Sequence, residues 1–188
     1  MSVGILSIQG NVSEHASVLR ALGIEPKEIR TTEDIQNVTH LIIPGGESTV
    51  MSRFLFQLSD LGQTIIHRAH EGSLAIFGTC AGAILLAKNV TGSHMTKTLG
   101  LMDITIERNA YGSQQQSFET SIQIKKIDQP AYVAFIRAPI ISSTHSRITI
   151  LAEHNGHPIL VQSQRLLAAT FHAEARQETC VHALFLAL

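Results

Sequence analysis

The chain has 188 residues, 14 Lys and Arg against 15 Asp and Glu, and a formal net charge of −1. That length predicts one domain spanning residues 1–188, and a composition of 44% hydrophobic and 15% charged residues excludes a disordered chain. The near-neutral charge, without any Lys/Arg run, argues against nucleic-acid binding, and no apolar stretch reaches the ~18–20 residues of a membrane span. Cys80 and Cys180 cannot make a disulfide framework and the start does not read as a signal peptide, so a cytoplasmic protein is expected.

Val3–Ile8 predicts a strand that stops at the turn Gln9-Gly10-Asn11. Val12, Val18, Leu19 and Leu22 follow at helical spacing up to Gly23, which stands where a helix C-terminus takes glycine. Pro26–Ile29 reads as a weaker strand, and Leu41–Ile43 as a buried one halted by Pro44-Gly45-Gly46. Ser48 or Thr49 is expected to cap the next helix, which carries Met51, Phe54, Leu55 and Leu58. A helix over Leu61–His70, a strand over Leu74–Phe77 and a helix from near Ala81 continue a strand–helix alternation, the pattern of a parallel sheet with crossover helices. The second half changes character. Ile104–Ile106, Ser121–Ile124, Tyr132–Ile136, Ile148–Ala152, Ile159–Gln162 and Leu166–Phe171 are strand candidates between short turns, and Asn155-Gly156 is a hairpin signal. Gln177–Leu188 reads as a closing helix. The expected fold is α/β, with a largely parallel central sheet flanked by helices and antiparallel additions in the second half.

The sharpest chemical signal is Gly78-Thr79-Cys80-Ala81-Gly82, between an apolar strand and a helix. It is the cysteine version of the G-x-S-x-G nucleophile elbow, in which glycines permit a tight turn that exposes the central side chain at the sheet's carboxyl edge. The following N–H groups then face any oxyanion formed there. The competing reading of Cys80 is a small packed core cysteine. A cysteine nucleophile needs a base, and His172 directly follows a predicted strand, with Glu174 two residues on to orient its ring. The pairs His67/His70 and His154/His157 lack the H-E-x-x-H or paired C-x-x-C context of zinc sites and read as surface histidines. Pro44–Thr49 is a second glycine turn between strand and helix, unfit for phosphate because Glu47 repels it and no P-loop lysine follows. Arg108 and Arg137 each end a strand-like run and suit a carboxylate. Cys180, in the apolar terminal helix, reads as packing.

Gly78–Gly82 together with the distant His172 and Glu174 resembles the class I (triad) glutamine amidotransferases, whose fold is flavodoxin-like. Further segments resemble, in order along the chain, the glutaminase subunits of pyridoxal 5′-phosphate synthase. They are Ile8-Gln9-Gly10 with Glu14-His15, Pro44–Thr49, Leu99–Asp103, Arg108–Gly112 with Gln114, Ser117–Glu119 and Phe135–Pro139. The resemblance implies hydrolysis of L-glutamine to glutamate and ammonia through Cys80, His172 and Glu174. It further implies an oxyanion hole from Ala81 and the Gly45-Gly46 turn, and glutamine binding by Gly46, Glu47, Ser48, Arg108, Ile136 and Arg137. It implies no metal or organic cofactor, and a (β/α)₈-barrel synthase subunit as the partner that takes up the ammonia. Three residues depart from the usual pattern: Ala173 where proline is usual, Asn11 where alanine is common, and Ser113 where arginine is common. Ala173 is expected to loosen the triad turn. Two other readings are the glutaminase subunit of imidazole glycerol phosphate synthase, opposed by Arg108–Gly112 and Phe135–Pro139, and a non-catalytic glutamine sensor or assembly subunit, opposed by the intact triad residues. A cysteine peptidase fits less well with two arginines and a carboxylate suited to a free amino acid.

Overall fold

Apolar β-branched runs too short for helices form the strands, and glycine turns end them. A computed structural model describes residues 1–92, 97–108 and 117–188. In chain order the first half runs β1 (Val3–Leu6), α1 (Val12–Ala21), β2 (Lys27–Ile29), α2 (Thr32–Gln36), β3 (His40–Ile43), α3 (Ser48–Arg53), α4 (Leu61–His70), β4 (Ala75–Thr79) and α5 (Ala81–Leu86). It continues through β5 (Ala87–Thr91), β6 (Met102–Glu107), β7 (Phe118–Ile122), β8 (Ala131–Phe135), β9 (Ile140–Thr144), β10 (Thr149–His154), β11 (His157–Ser163), β12 (Leu166–Ala169) and α6 (Cys180–Leu186).

The main sheet has the order β10-β11-β12-β4-β3-β1-β2. From β2 to β12 every pairing is parallel, and β11 and β10 add antiparallel strands at one edge. The parallel part therefore reads 2-1-3-4 plus one further strand, the doubly wound flavodoxin-like order expected above. Such strands are buried on both faces, which explains runs like Leu41-Ile42-Ile43 without polar alternation. Leu41, Ile43 and Ile76 pack on one face with Met51, Leu55 and Leu61. Ile42, Ala75 and Phe77 pack on the other with Leu19, Val181 and Phe185.

The hairpin signal is borne out: Asn155 and Gly156 have φ of 50° and 79° between β10 and β11, the two positive values that this tight turn requires. Gly23 takes φ 78° directly after α1, as its position predicted. Three expectations are corrected. The cap of α3 is Glu47 rather than Ser48 or Thr49, because its longer carboxylate reaches the N–H groups of both Thr49 and Val50. The strand expected at Ser121–Ile124 lies at Phe118–Ile122, paired antiparallel with β8. The closing helix begins only at Cys180, since Gln177 adopts φ 53° and interrupts it. Strands β5 and β9 and the short α2, capped by a reciprocal Thr31–Asp34 box, carry no period that marks them in advance.

Candidate active site

The carboxyl ends of β1, β3, β4 and β12 converge, and the loops leaving them carry the predicted site residues. At the end of β4, Cys80 is forced into φ 49°, ψ −102°, a region that non-glycine residues seldom occupy. Backbone bonds clamp it there: Cys80 N–H donates to the Ala169 carbonyl at 2.8 Å, and the Cys80 carbonyl accepts from Ile84 N–H at 3.1 Å. The flanking glycines are a steric requirement. A Cβ at Gly78 would lie 2.5 Å from the carbonyl carbon of Gly82, and one at Gly82 would strike the Ile43 backbone. Helix α5 starts at Ala81, so its first N–H groups, which have no partner within the helix, open beside the thiol.

His172 lies beyond β12 and is fixed through its backbone. Its N–H donates to the Ala134 carbonyl at 2.8 Å, and its carbonyl accepts from Ala134 N–H at 3.2 Å. Its Nδ1 lies 2.7 Å from Glu174 Oε1, and the ring and Cys80 line the same cavity. Cys80 is 9% exposed, His172 4% and Glu174 0%. In so dry a place burial opposes charging of His172, but its hydrogen bonds to Cys80 and Glu174 and their charges outweigh this and raise its pKa to about 10. Burial likewise opposes ionisation of Glu174, yet the neighbouring histidines, with a direct bond from His172, bring its pKa down to about 2. The three predicted side chains thus stand in one row, with the ring and the carboxylate held as an ion pair.

A cavity of about 200 Å³ opens at Cys80, and Gly46, Glu47, Ser48, Ala81, Arg108, Ile136, Arg137 and His172 all line it. Gly45 stands behind them against the His172 ring, where a Cβ would lie 3.2 Å from Nδ1 and closer still to Cε1. The Gly45 carbonyl accepts from Asn11 N–H at 3.4 Å. Across that cavity Arg108 donates to Glu47 Oε1 and to Thr49 Oγ1, each at 3.3 Å. Burial works against ionisation of Glu47, but the Val50 and Thr49 N–H groups, the Thr49 hydroxyl and Arg108 more than offset it and lower its pKa. Arg137 enters the site through a φ of 45° just after β8. Of the predicted segments, Asn109–Gly112, Ser113 and Gln114 lie outside the described residues. Cys180 is half-buried, and its burial and the adjacent Glu178 push its thiol up to about 12.

Residues 5–188 match the SNO glutamine amidotransferase family. The chain belongs to that family. The pyridoxal 5′-phosphate synthase subunit PdxT of Thermotoga neapolitana is 43% identical over 187 residues, covering 99% of this chain and 98% of its own. The PdxT subunit of Thermus thermophilus is 39% identical over 186 residues, covering 99% and 96%. A crystal structure of a glutamine amidotransferase superposes with a TM-score of 0.94 at 38% identity, covering 100% of this chain and 98% of that one. PurLQS from Thermotoga maritima shares the fold alone, with a TM-score of 0.68 at 13% identity and coverage of 99% and 97%. No helix among the described residues is long and apolar enough to cross a membrane.

In this family member two parts of the site escaped sequence reasoning. Asn11, read only as a departure from a common alanine, lines the cavity and donates to Glu174 Oε1 at 3.3 Å. His15 and His182 meet behind Glu174 with their rings tilted by 51°, wholly buried. The available signal was their position: His15 is one residue from Ala16 and four from Leu19 on the apolar face of α1, and His182 adjoins Val181 in an apolar helix. Ala173 adopts φ −71°, the value that proline would impose, so the backbone of the turn is the one expected with proline.

Proposed function

We propose that residues 1–188 act as one cytoplasmic glutaminase unit that hydrolyses L-glutamine at Cys80 and passes the ammonia to a (β/α)₈-barrel synthase subunit making pyridoxal 5′-phosphate. The observation that carries this reading is the row Cys80–His172–Glu174 at the floor of a cavity with charges of both signs on its rim. A free amino acid brings both an α-carboxylate and an α-ammonium to such a rim. Arg108 and Arg137 take the carboxylate, Glu47 takes the ammonium, and Gly46, Ser48 and Ile136 shape the channel for the side chain.

With the thiol proton already on His172 Nε2, Cys80 Sγ attacks the side-chain amide carbon. The C=O electron pair moves onto oxygen, and N–H groups of Ala81 and of the Gly45-Gly46 turn hold the resulting oxyanion. Each such donor is worth about 10²–10³ in rate. Collapse breaks the C–N bond as His172 returns its proton to nitrogen, so ammonia leaves rather than an amide anion. Water then attacks the glutamyl thioester, with His172 again accepting and returning a proton, and releases glutamate and the free thiol. Glu174 holds the Nδ1–H of His172 and so turns Nε2 towards sulfur. Partner docking orders the oxyanion turn at Gly45-Gly46.

The test is glutamate release from L-glutamine by the purified chain, alone and with a pyridoxal 5′-phosphate synthase subunit, beside a Cys80→Ala control. Stimulation by the synthase that vanishes in the variant is the expected result. Activity indifferent to the synthase would remove the partner, and activity surviving Cys80→Ala would remove the nucleophile.

A further inference from the structure

Glu174 Oε1 meets His172 Nδ1 at 2.7 Å and Asn11 Nδ2 at 3.3 Å in hydrogen bonds, and His15 Nε2 stands 3.5 Å from the same atom, while Oε2 is buried with no partner among the described residues. The carboxylate is therefore oriented through a single oxygen, and only its neighbours stop it from turning the other one towards His172.

His15 is itself fixed. Its Nδ1 lies 2.9 Å from His182 Nε2, and its Nε2 lies 3.2 Å from Thr79 Oγ1 as well as facing Glu174. Burial, the largest influence, keeps both rings neutral: it lowers the pKa of His15 against the pull of Glu174, and takes that of His182 down to about 3. Two neutral imidazoles in contact share one proton between them. If His15 donated to His182, its Nε2 lone pair would face the Glu174 carboxylate 3.5 Å away. The opposite arrangement sends the His15 Nε2–H towards Thr79 and Glu174. The second arrangement costs less.

We propose that His15, held in this tautomer by His182, and Asn11 are positioning residues that align Glu174 with His172. His15 also ties together two chain segments, since Thr79 adjoins Cys80 on β4 whereas Glu174 follows β12. One imidazole N–H thereby sets the spacing between the strand that carries the nucleophile and the turn that carries its carboxylate. Asn11 reaches the same oxygen from the β1–α1 loop and supplies the second constraint.

This inference rests on the triad reading above, and the experiment separates the two. Glutamine hydrolysis is measured with the synthase present for Cys80→Ala, His15→Leu, His15→Gln and Asn11→Ala, with a thermal melt for each. His15→Leu keeps bulk and loses the donor, so kcat should fall about tenfold with KM within about twofold, short of the ~100-fold that a full 1 Å misplacement costs. Glutamine places an amide N–H near the position of Nε2, so His15→Gln should recover most of kcat. Asn11→Ala, at a loop, should lose about threefold in kcat alone. Activity surviving Cys80→Ala overturns the triad reading itself. An inactive Cys80→Ala beside His15→Leu and Asn11→Ala with unchanged kcat overturns the positioning role only. Equal losses in folded His15→Leu and His15→Gln also overturn the role of His15, because packing rather than the N–H would then matter. If His15→Leu does not fold, Asn11→Ala and His15→Gln decide by the same criteria.

Discussion

Replacing Gly78 by alanine tests whether the strained elbow is what aims Cys80. The new Cβ would lie 2.5 Å from Gly82 C, 2.6 Å from Gly82 O and 2.9 Å from Ala83 N. All three are backbone atoms in the first turn of α5, so no side-chain rotation relieves them. Carbon–carbon contact is comfortable at about 3.5 Å, so the turn must retreat by roughly 1 Å. Strand β4 cannot retreat instead, because β3 and β12 hold it from both sides. Overpacking of this kind costs about 1–3 kcal/mol. In a chain of this length that lowers Tm by roughly 2–4 °C per kcal/mol. The same retreat carries Cys80, at the head of α5, away from His172, and a 1 Å misplacement costs about 100-fold in rate. Gly72→Ala is the control. Its φ of 71° also strains alanine, but nothing lies within 4 Å of the added carbon. Circular-dichroism melts and glutamate release should show both variants destabilised and only Gly78→Ala crippled. Wild-type kcat in Gly78→Ala would refute the steric argument.

Other expectations follow from the same geometry. His172 has its pKa raised to about 10 from 6.5, so the stability it contributes is complete below 6.5 and drains away as pH rises towards 10. Glu174, lowered to about 2 from 4.5, contributes fully above 4.5 and loses that contribution as pH falls towards 2. Urea unfolding of wild type and His172→Gln should therefore give a stability difference that shrinks between pH 6.5 and 10, and a difference that widens there would contradict the ion pair. Glu47→Ala removes the cap of α3 and should cost about 1 kcal/mol by urea unfolding while raising KM for glutamine, whereas an unchanged KM would take Glu47 out of substrate binding. Glu174→Gln should lower kcat by about 10²–10⁴ with little change in KM, and an unaffected kcat would exclude the carboxylate from orienting His172.

How far the sequence could be read varied with how local the cause was. The elbow at Gly78–Gly82 was legible because its glycines answer to contacts within a few residues and with one neighbouring strand. The parallel half of the sheet was legible because doubly buried strands leave unbroken apolar runs. The cap at Glu47 was misread because side-chain reach, rather than helix-cap preference, decides which residue meets the free N–H groups. Strand β5 follows α5 without an intervening turn residue, so nothing local separates them. The cluster behind Glu174 was hidden for a different reason. His15 and His182 are 167 positions apart, and Asn11 and Glu174 are 163 apart, so their meeting depends on the packing of α1 and α6 against the sheet.

The most direct test of the central claim is covalent. A diazoketone analogue of glutamine presents a reactive carbon where the amide carbon would sit, and peptide mass spectrometry locates the label. The account predicts labelling at Cys80, slowed by excess L-glutamine and abolished in His172→Ala, with Cys180 unmodified. Labelling of Cys180 in preference to Cys80, or an unlabelled chain that still releases glutamate, would contradict it.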